Sequence, residues 1–432
     1  MATAVQDTSA TSSRLLELYG KFAAHPRLAA LNEAAAKRFA EVGIPGKRHE
    51  MFSFVNLREL LAAPFEFRHG AAKTVAESEI RKLVFAGCEH SLIAMVDGRY
   101  EPALSDVTAH NGAVTAQPLE QAITTPILEQ LVKDTQSETD VFAVLNAMFV
   151  SGGVLIEVKN GADLSTPIQI LHLSTGEGIT TADAPRVVIS VGANAAAQVA
   201  EKFAGSGGFL NAVTNLSLGE GANVQWTRLQ TDADAGFHFS KTHIRMARDS
   251  RFKGVAAANG GKLARHNCEV RLTGEGAELT QFNAAVLDGA EQSHNYFRIH
   301  HEAPNCVSYE VFKHLVMGRS AASADTTVVV HPGAQLTVSD QLINNLMLSE
   351  EARADTKPNL MIYADDVKCK HGATVGRLDE NQIFYMVSRG IPADRARALL
   401  TAGFVKSVLA EVAFAPVAQE AANLLLAKLE KK

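Results

Sequence analysis

The chain has 432 residues, of which 47% are hydrophobic and 20% are charged, and its formal net charge is −6. This small negative charge does not suit binding to nucleic acid or to an anionic membrane surface. No apolar run approaches the roughly 18–20 residues that span a bilayer, and residues 1–13 lack the pattern of a secretion signal. The four cysteines lie far apart and form no CxxC pair, so they do not indicate a disulfide framework. We therefore expect a reduced, cytoplasmic, globular protein of two or three domains.

The N-terminal third is predicted to be mainly helical. Apolar residues recur there at helical spacing, with Pro26 suited to a helix start and Gly43 to a helix stop. A strand, turn and strand are expected within residues 91–100, and a further helix over residues 125–149. We assign residues 1–150 to this N-terminal domain.

From residue 151 the pattern changes to short β-like runs that alternate with turns rich in glycine, asparagine and aspartate. A turn phrase, Gly-Ala in its clearest copies, begins at residues 161, 192, 221, 249, 276, 304 and 333, which are 27 to 31 residues apart. A phrase that returns at a nearly constant period is typical of a repeat architecture. Each copy lies between two β-like runs, so one period predicts one coil of a parallel β-helix of about 28 residues. The alternative is an antiparallel sandwich, which seldom keeps so long a register.

Helices are expected again in the C-terminal part. Asp379 and Gln382 have the spacing of a capping box, and Gly403 is predicted to interrupt the next helix. The sequence therefore predicts a mostly β protein, in which a β-helix core over residues 151–365 is followed by a C-terminal helical domain over residues 366–432. We expect the helices to cap the solenoid, because its open ends would expose strand edges.

One short segment carries residues with the chemistry of a metal site. Cys369 and His371 are separated by one residue, so on an extended strand they point to the same face. A thiolate and an imidazole make half of a soft metal site and need further ligands from elsewhere. Lys368 and Lys370 are expected to lower the pKa of the thiol. The structural alternative, a buried cysteine beside a hydrogen-bonded histidine, is the more frequent outcome for such a pair.

Three histidines follow the period of the repeat. His238, His266 and His294 are each 28 residues apart, so in coils of equal length their rings would stack. Such a stack would serve either as a transient metal or sulfur relay or as a polar ladder bonded to backbone and water. We favour the ladder.

Enzyme signatures are absent from the sequence. It contains no Walker A motif, no dinucleotide-binding fingerprint, no HExxH and no GxSxG. This favours a binding or scaffold role over catalysis by this chain alone.

Several long segments resemble motifs of the SufB/SufD family of iron–sulfur cluster assembly proteins. They are residues 43–45, 47–50, 351–358, 361–369, 371–374, 382–385 and 388–391. One departure is Phe52, where the family usually has tryptophan. The phrase from Lys368 to Thr374 is similar to the SufD branch. The segment that carries a cysteine in SufB proteins corresponds here to residues 342–345, which contain none.

The resemblance implies a right-handed parallel β-helix between helical domains, in a complex with SufB and two copies of the ATPase SufC. It places Cys369 and His371 at the junction with SufB, where they would help to receive iron or the nascent iron–sulfur cluster. It places the contact with SufC on the C-terminal helices, with these candidate residues: Phe384, Arg389, Leu399 and Phe404.

No cofactor is expected to bind stably to this chain alone. The sequence leaves open whether a reduced flavin binds the assembled complex and whether the isolated chain forms a homodimer.

Two other functions are known for chains with this kind of fold or resemblance. A SufB-like core scaffold would carry the cluster alone, but the missing cysteine near Asn344 argues against it. A carbohydrate-active parallel β-helix enzyme would need a secretion signal and a cluster of carboxylates on one face of the solenoid, and the sequence shows neither clearly.

Overall fold

The computed structural model describes residues 8–46, 49–68, 73–176, 180–205, 208–231 and 236–430. Two residues of the N-terminal family motif, Lys47 and Arg48, lie outside these ranges. No helix among the described residues is long and apolar enough to cross a membrane.

The helices and strands are numbered in chain order. The helices are α1 Thr8–Gly20, α2 Ala29–Val42, α3 Arg58–Ala62, α4 Glu77–Arg81, α5 Leu119–Ala122, α6 Thr125–Ser137, α7 Val141–Phe149, α8 Glu380–Ser388, α9 Ala393–Leu409 and α10 Ala415–Glu430. Single 3₁₀ turns lie at Glu50–Phe52, Pro102–Leu104 and Thr108–His110.

The strands fall into an early group and a long regular series. The early strands are β1 Glu66–Phe67, β2 Leu92–Val96, β3 Arg99–Tyr100, β4 Val114–Pro118, β5 Val154–Val158, β6 Ile168–Ser174, β7 Thr181–Asp183 and β8 Arg186–Val191. The regular series is β9 Ala196–Gly205, β10 Phe209–Leu218, β11 Asn223–Gln230, β12 Phe237–Met246, β13 Arg251–Ala258, β14 Leu263–Leu272, β15 Glu278–Leu287, β16 Gln292–His301, β17 Val307–Val316, β18 Ala321–Val330, β19 Thr337–Met347, β20 Arg353–Ile362 and β21 Val367–Gly376.

Successive strands alternate between two sheets, which confirms the predicted parallel solenoid; it has about seven turns. Sheet A runs in the order β4-β5-β8-β10-β12-β14-β16-β18-β20, and sheet B in the order β3-β2-β6-β9-β11-β13-β15-β17-β19-β21. Pairing is parallel from β5 and β6 onward. At the N-terminal end, β3 pairs antiparallel with β2 in sheet B, and β4 pairs antiparallel with β5 in sheet A. The strands continue to Gly376, beyond the predicted limit of the solenoid at residue 365.

The repeated turn phrase forms one corner of each coil. At this corner one residue has a positive φ, and the chain supplies mostly glycine, asparagine or aspartate for it, the residues that tolerate this conformation best. They are Gly161, Asn194, Gly221, Asp249, Gly276, Asn305 and Leu336. Corners of neighbouring coils are hydrogen-bonded: the N–H of Gly221 donates to the Arg248 carbonyl, and that of Asp249 to the Glu275 carbonyl, each at 2.9 Å. The corners therefore stack, as the period predicts.

Coil length varies more than the turn phrase indicates. In sheet A, Phe237 lies opposite Leu263, 26 residues later, while Ala321 lies opposite Arg353, 32 residues later. Equal spacing in sequence therefore does not give equal positions in the stack.

The predicted stack of histidine rings is wrong for this reason. His238 lies opposite Ala264, and His294 lies opposite Arg265. Each histidine ring instead contacts a different polar side chain. His238 accepts a hydrogen bond from Arg228 at 2.6 Å, His266 Nε2 lies 3.2 Å from the Thr242 hydroxyl, and His294 Nδ1 lies 2.8 Å from the Ser323 hydroxyl.

The N-terminal helices cover the outer face of sheet A. The predicted helix over residues 125–149 is in fact two helices, α6 and α7, because Asp140 caps the second. Its carboxylate accepts from the Phe142 N–H at 3.0 Å and from Arg265 of β14 at 2.6 Å. One buried carboxylate thus starts α7 and fixes it to the solenoid. Phe142 then packs against Phe239 of sheet A.

The C-terminal helices lie on the outer face of sheet B. Val405 and Val408 of α9 and Leu425 of α10 are buried in one cluster with Leu229, Val286 and Leu315 of the sheet. The prediction that Gly403 interrupts this region is wrong, since α9 runs through it. A glycine inside a helix costs about 1 kcal/mol relative to alanine, and the buried apolar side chains of α9 offset that cost.

The C-terminal end of the solenoid is left open. Among the residues that the structure describes, the last strands, β20 and β21, each pair on one side only, and their side chains are exposed or half-buried. Flanking helices are present as predicted, but the expectation that the C-terminal helices cap this end is wrong. They follow a side of the solenoid because their apolar residues match the outer face of sheet B.

The corner glycines provide a test of the fold. Gly276 has φ +73°, and a Cβ there would meet the Asp249 carboxylate, whereas a Cβ at Gly333 would meet no atom within 4 Å. We expect Gly276→Ala to destabilise the chain by about 1–2 kcal/mol, the usual cost of a left-handed residue with a Cβ, and Gly333→Ala to be nearly neutral. Thermal unfolding of the two variants measures the difference. Equal melting temperatures would contradict the assigned corner.

Candidate metal site and partner surfaces

Cys369 and His371 lie on β21, the last strand of sheet B. Cys369 is opposite Ser339 and His371 is opposite Gln341, and both of these partners are buried in the lumen of the solenoid. Because side chains alternate along a strand, Cys369 and His371 belong to the lumen side of the sheet. Cys369 is half-buried and packs against the lumen core, while His371 is exposed. The pair therefore forms the rim of the open end.

The protonation of Cys369 differs from the sequence-based expectation. Burial raises the pKa of its thiol, and a backbone hydrogen bond from Ser339 opposes this only in part. Lys370 does not act on the thiol, because its ammonium group pairs with Asp340 of β19 at 2.9 Å. The expectation that the flanking lysines lower the thiol pKa is wrong. Cys369 needs a bound cation to become a thiolate at neutral pH.

Cys369 and His371 are an incomplete site within this chain. In the part of the chain that the structure describes, they belong to no group of three or more cysteine, histidine, aspartate or glutamate ligands. Two donors leave at least two positions of a tetrahedral ion unfilled. A ligand set completed by a second molecule at the open end fits this geometry.

Behind the rim lies a buried carboxyl group that the sequence-based analysis missed. Glu310 of β17 is opposite Gln341, which is itself opposite His371, so the three follow one line from the lumen to the rim. Gln341 donates to Glu310 Oε2 at 3.0 Å. Burial raises the pKa of Glu310 to about 7, against smaller opposite effects of Gln341 and Arg298. The sequence contained a signal for this buried position. Because side chains alternate along a strand, Glu310 lies on the same face as the apolar Phe312, which is buried.

A second surface is formed by α8 and the start of α9. Phe384 is 74% exposed and Leu399 is exposed, together with Tyr385 and Val387, which the sequence-based analysis did not single out. Arg389 lies over the Tyr385 ring at 5.0 Å and donates to its hydroxyl at 3.0 Å. The result is an apolar patch beside a guanidinium group.

Not every predicted contact residue belongs to this patch. Phe404 is half-buried and packs beneath Lys313 of the solenoid, whose ammonium nitrogen lies 5.0 Å from the ring centroid. Helices α8 and α9 are held together by Arg397, which donates to both carboxylate oxygens of Glu380 at 3.1 Å.

Apolar side chains are also exposed where β20 and β21 end. Met361 and Ile362 are exposed, Tyr363 is 59% exposed and Val375 is 54% exposed. Exposed apolar residues beside unpaired strand edges mark a surface for another chain.

Comparison with protein families agrees with these features. Residues 172–404, more than half of the chain, match the model of the SUF system FeS cluster assembly SufBD core domain. The chain belongs to the SufBD family. Residues 19–170 match the SufBD protein N-terminal region, so the two SufBD models together cover most of the sequence.

Individual SufBD relatives align along most of their length. An iron–sulfur cluster assembly SufBD family protein of Synechocystis is 30% identical over 397 residues, covering 89% of this chain and 87% of the relative. Iron–sulfur cluster assembly protein SufD of Escherichia coli is 28% identical, with 85% of each chain covered. SufD of Bacillus subtilis is 27% identical, with 66% of each chain covered. The resemblance stated from the motifs is confirmed, and the chain is a member of a family of iron–sulfur cluster assembly proteins.

Glu310 provides a test by pH. A carboxyl group whose pKa is higher in the folded than in the unfolded state holds its proton more tightly when folded, so wild-type stability falls as pH rises from about 4.5 to about 7. We expect Glu310→Gln, which keeps an oxygen for Gln341, to be more stable than wild type at pH 8 by about 1–3 kcal/mol and equal to it near pH 4.5.

Thermal unfolding between pH 4.5 and 8 measures this difference. Glu278→Gln is the control, because Glu278 is an exposed glutamate on the adjacent strand β15. A gap between Glu310→Gln and wild type that stays constant with pH would contradict a buried, proton-holding Glu310.

Proposed function

We propose that this chain is the SufD-type subunit of a SUF complex, a non-catalytic cytoplasmic scaffold that pairs with SufB at its open end and binds the ATPase SufC through α8 and α9. The observation that carries the proposal is the uncapped last coil, whose rim holds Cys369 and His371. The relatives of Escherichia coli and Bacillus subtilis that are named SufD support the assignment to this branch.

The open end supports pairing with another solenoid. Strands β20 and β21 each offer an unpaired edge, and a partner with the same kind of strands can extend both sheets. The half-site formed by Cys369 and His371 would then face the partner's lumen. In this arrangement SufB supplies the missing ligands, and the iron or nascent cluster is cargo held between the two subunits.

The patch on α8 and α9 supports a separate partner. It lies on α8 and α9, of which α9 packs against β15 and β17 on the outer face of sheet B, whereas the free edges belong to β20 and β21. Exposed aromatic residues beside an arginine are frequent at the centre of protein interfaces. Phe384, Leu399 and Arg389 are the residues that we assign to SufC.

A scaffold role also agrees with the carboxylates in a groove on sheet A, which has a volume of about 1100 Å³. A glycoside hydrolase needs one carboxylic acid whose pKa is raised. Burial alone would raise the pKa of Glu138 and Glu269, but Lys241 and His243 lower both below their usual values. These two carboxylates are ionised and paired, which does not suit the carbohydrate-active alternative.

Substitutions at the rim test the cluster role. Cys369→Ser replaces a soft thiol with a hydroxyl that stays protonated, and His371→Ala removes the nitrogen ligand. We expect each variant to fold and to assemble with SufB and SufC, while iron and labile sulfide per purified complex fall by at least ~10-fold, the scale of losing groups around a metal. Lys370→Gln, on the same strand but the opposite face, should retain wild-type content.

Two outcomes would overturn this role. Full cluster content in the double variant would make Cys369 and His371 ordinary interface residues. Failure of both variants to assemble would make their function one of packing.

Charges placed on the two surfaces test the assignment of partners. A carboxylate buried in an apolar interface loses its hydration without gaining a partner. We therefore expect Phe384→Asp to lose SufC but keep SufB, and Val375→Asp to lose SufB but keep SufC. Co-purification from cells that express all three proteins measures both results. Loss of the same partner from both variants, or of neither, would contradict the assignment.

A further inference from the structure

Two imidazoles and a carboxylate meet on the outer face of sheet A. His300 is the second-last residue of β16, Glu302 directly follows that strand, and His331 directly follows β18. The backbone hydrogen bonds between these two strands continue for one more residue, since the His331 N–H donates to the His301 carbonyl at 3.0 Å. One ligand atom from each of the three side chains lies within 4.8 Å of the other two. Among the described residues, no other three histidine, cysteine, aspartate or glutamate side chains come this close together.

The spacing of the two imidazoles matches chelation. His300 Nδ1 and His331 Nε2 are 3.4 Å apart, and their rings are inclined by 33°. Two nitrogens that each lie about 2.0–2.1 Å from one tetrahedral ion are about 3.3–3.4 Å from each other. At 3.4 Å this contact is long for a hydrogen bond between the two rings. The separation of the two nitrogens is that of two ligands on one ion.

A charged neighbour holds the carboxylate of the group in place. Arg271 pairs with the Glu302 carboxylate and also lies 3.6 Å from Glu269. Such a partner orients a ligating carboxylate from behind.

We propose that His300, Glu302 and His331 bind one divalent first-row transition metal ion. Two nitrogens and one oxygen favour ions such as zinc, cobalt or ferrous iron over magnesium or calcium, whose preferred ligands are all oxygen. Three protein ligands leave at least one position of the ion open to water. This site is separate from Cys369 and His371, because it lies on the outer face of sheet A and not at the rim of the lumen.

The position of the site relates it to the open end. His331 follows β18, which pairs with the edge strand β20, and the Tyr363 N–H donates to the Val330 carbonyl at 2.9 Å. An ion bound here would lie one strand from the exposed edge. The inference concerns metal binding by the isolated chain, and it holds or fails independently of the proposed partners.

Cobalt binding tests the proposal without reference to cluster assembly. The tag-free chain, carrying Cys369→Ser and His371→Ala to remove the other candidate ligands, is stripped with a chelator and titrated with Co²⁺. We expect one equivalent to bind, with visible d–d absorption and a higher melting temperature. His331→Ala and Glu302→Gln, added separately, should each weaken binding by at least ~10-fold. Ferrous iron under anaerobic conditions should compete for the same site.

A matched control is available at the surface. His90 Nδ1 lies 2.8 Å from Asp106 Oδ2, a histidine–carboxylate pair without the second histidine. His90→Ala should leave cobalt affinity unchanged. Undiminished affinity in both the His331→Ala and the Glu302→Gln chains would overturn the proposal, as would the absence of any cobalt binding to a parent chain that is folded by circular dichroism.

Discussion

A strand of this solenoid obtains its backbone hydrogen bonds from the strands one coil before and one coil after it. Buried N–H and carbonyl groups without partners are costly, so every coil must return to the same height and direction as its neighbours. The corner residues with positive φ make this return possible, and the small residues that follow several of them, such as Ala222 and Ala277, are fully buried. The same requirement is not met at the last coil, since no strand in the described part of the chain pairs with the free edges of β20 and β21. The strands before it obtain their hydrogen bonds from both neighbouring coils, and the last coil, which carries Cys369 and His371, is left with free strand edges.

The lumen that this stacking encloses has two different halves. Near the repeated corner it is apolar, as at Val224, Phe252 and Leu279. Toward the opposite loops it contains buried charges that are paired within and between coils. His172 lies 3.2 Å from Glu201, whose carboxylate also lies 3.8 Å from Arg228. Buried charges are tolerated when they are paired in this way, and here the pairs join three successive coils.

Much of this architecture is predictable from local pattern. The corner period gives the solenoid, and Asp379 caps α8 as its position indicates, since its carboxylate accepts from the Asn381 N–H at 2.9 Å. Features set by contacts distant in sequence were not predictable. The histidine columns depend on coil lengths that the loops determine, and the raised pKa of the Cys369 thiol depends on burial that only the folded coil provides. His300 and His331 meet only because two strands are adjacent in sheet A, and no motif spacing signals such a pair.

The two ends of the solenoid differ, and this difference limits how copies of the chain can join end to end. The N-terminal end finishes in antiparallel strands, of which β3 has two residues and β4 has five and ends at Pro118, so it offers short, blunt edges. A head-to-tail filament needs complementary surfaces at both ends of each copy, and the N-terminal end of the described solenoid offers only these short edges. A contact made through the free edges of β20 and β21 would therefore close as a pair. Such a contact would also cover a sheet edge that is otherwise an aggregation hazard.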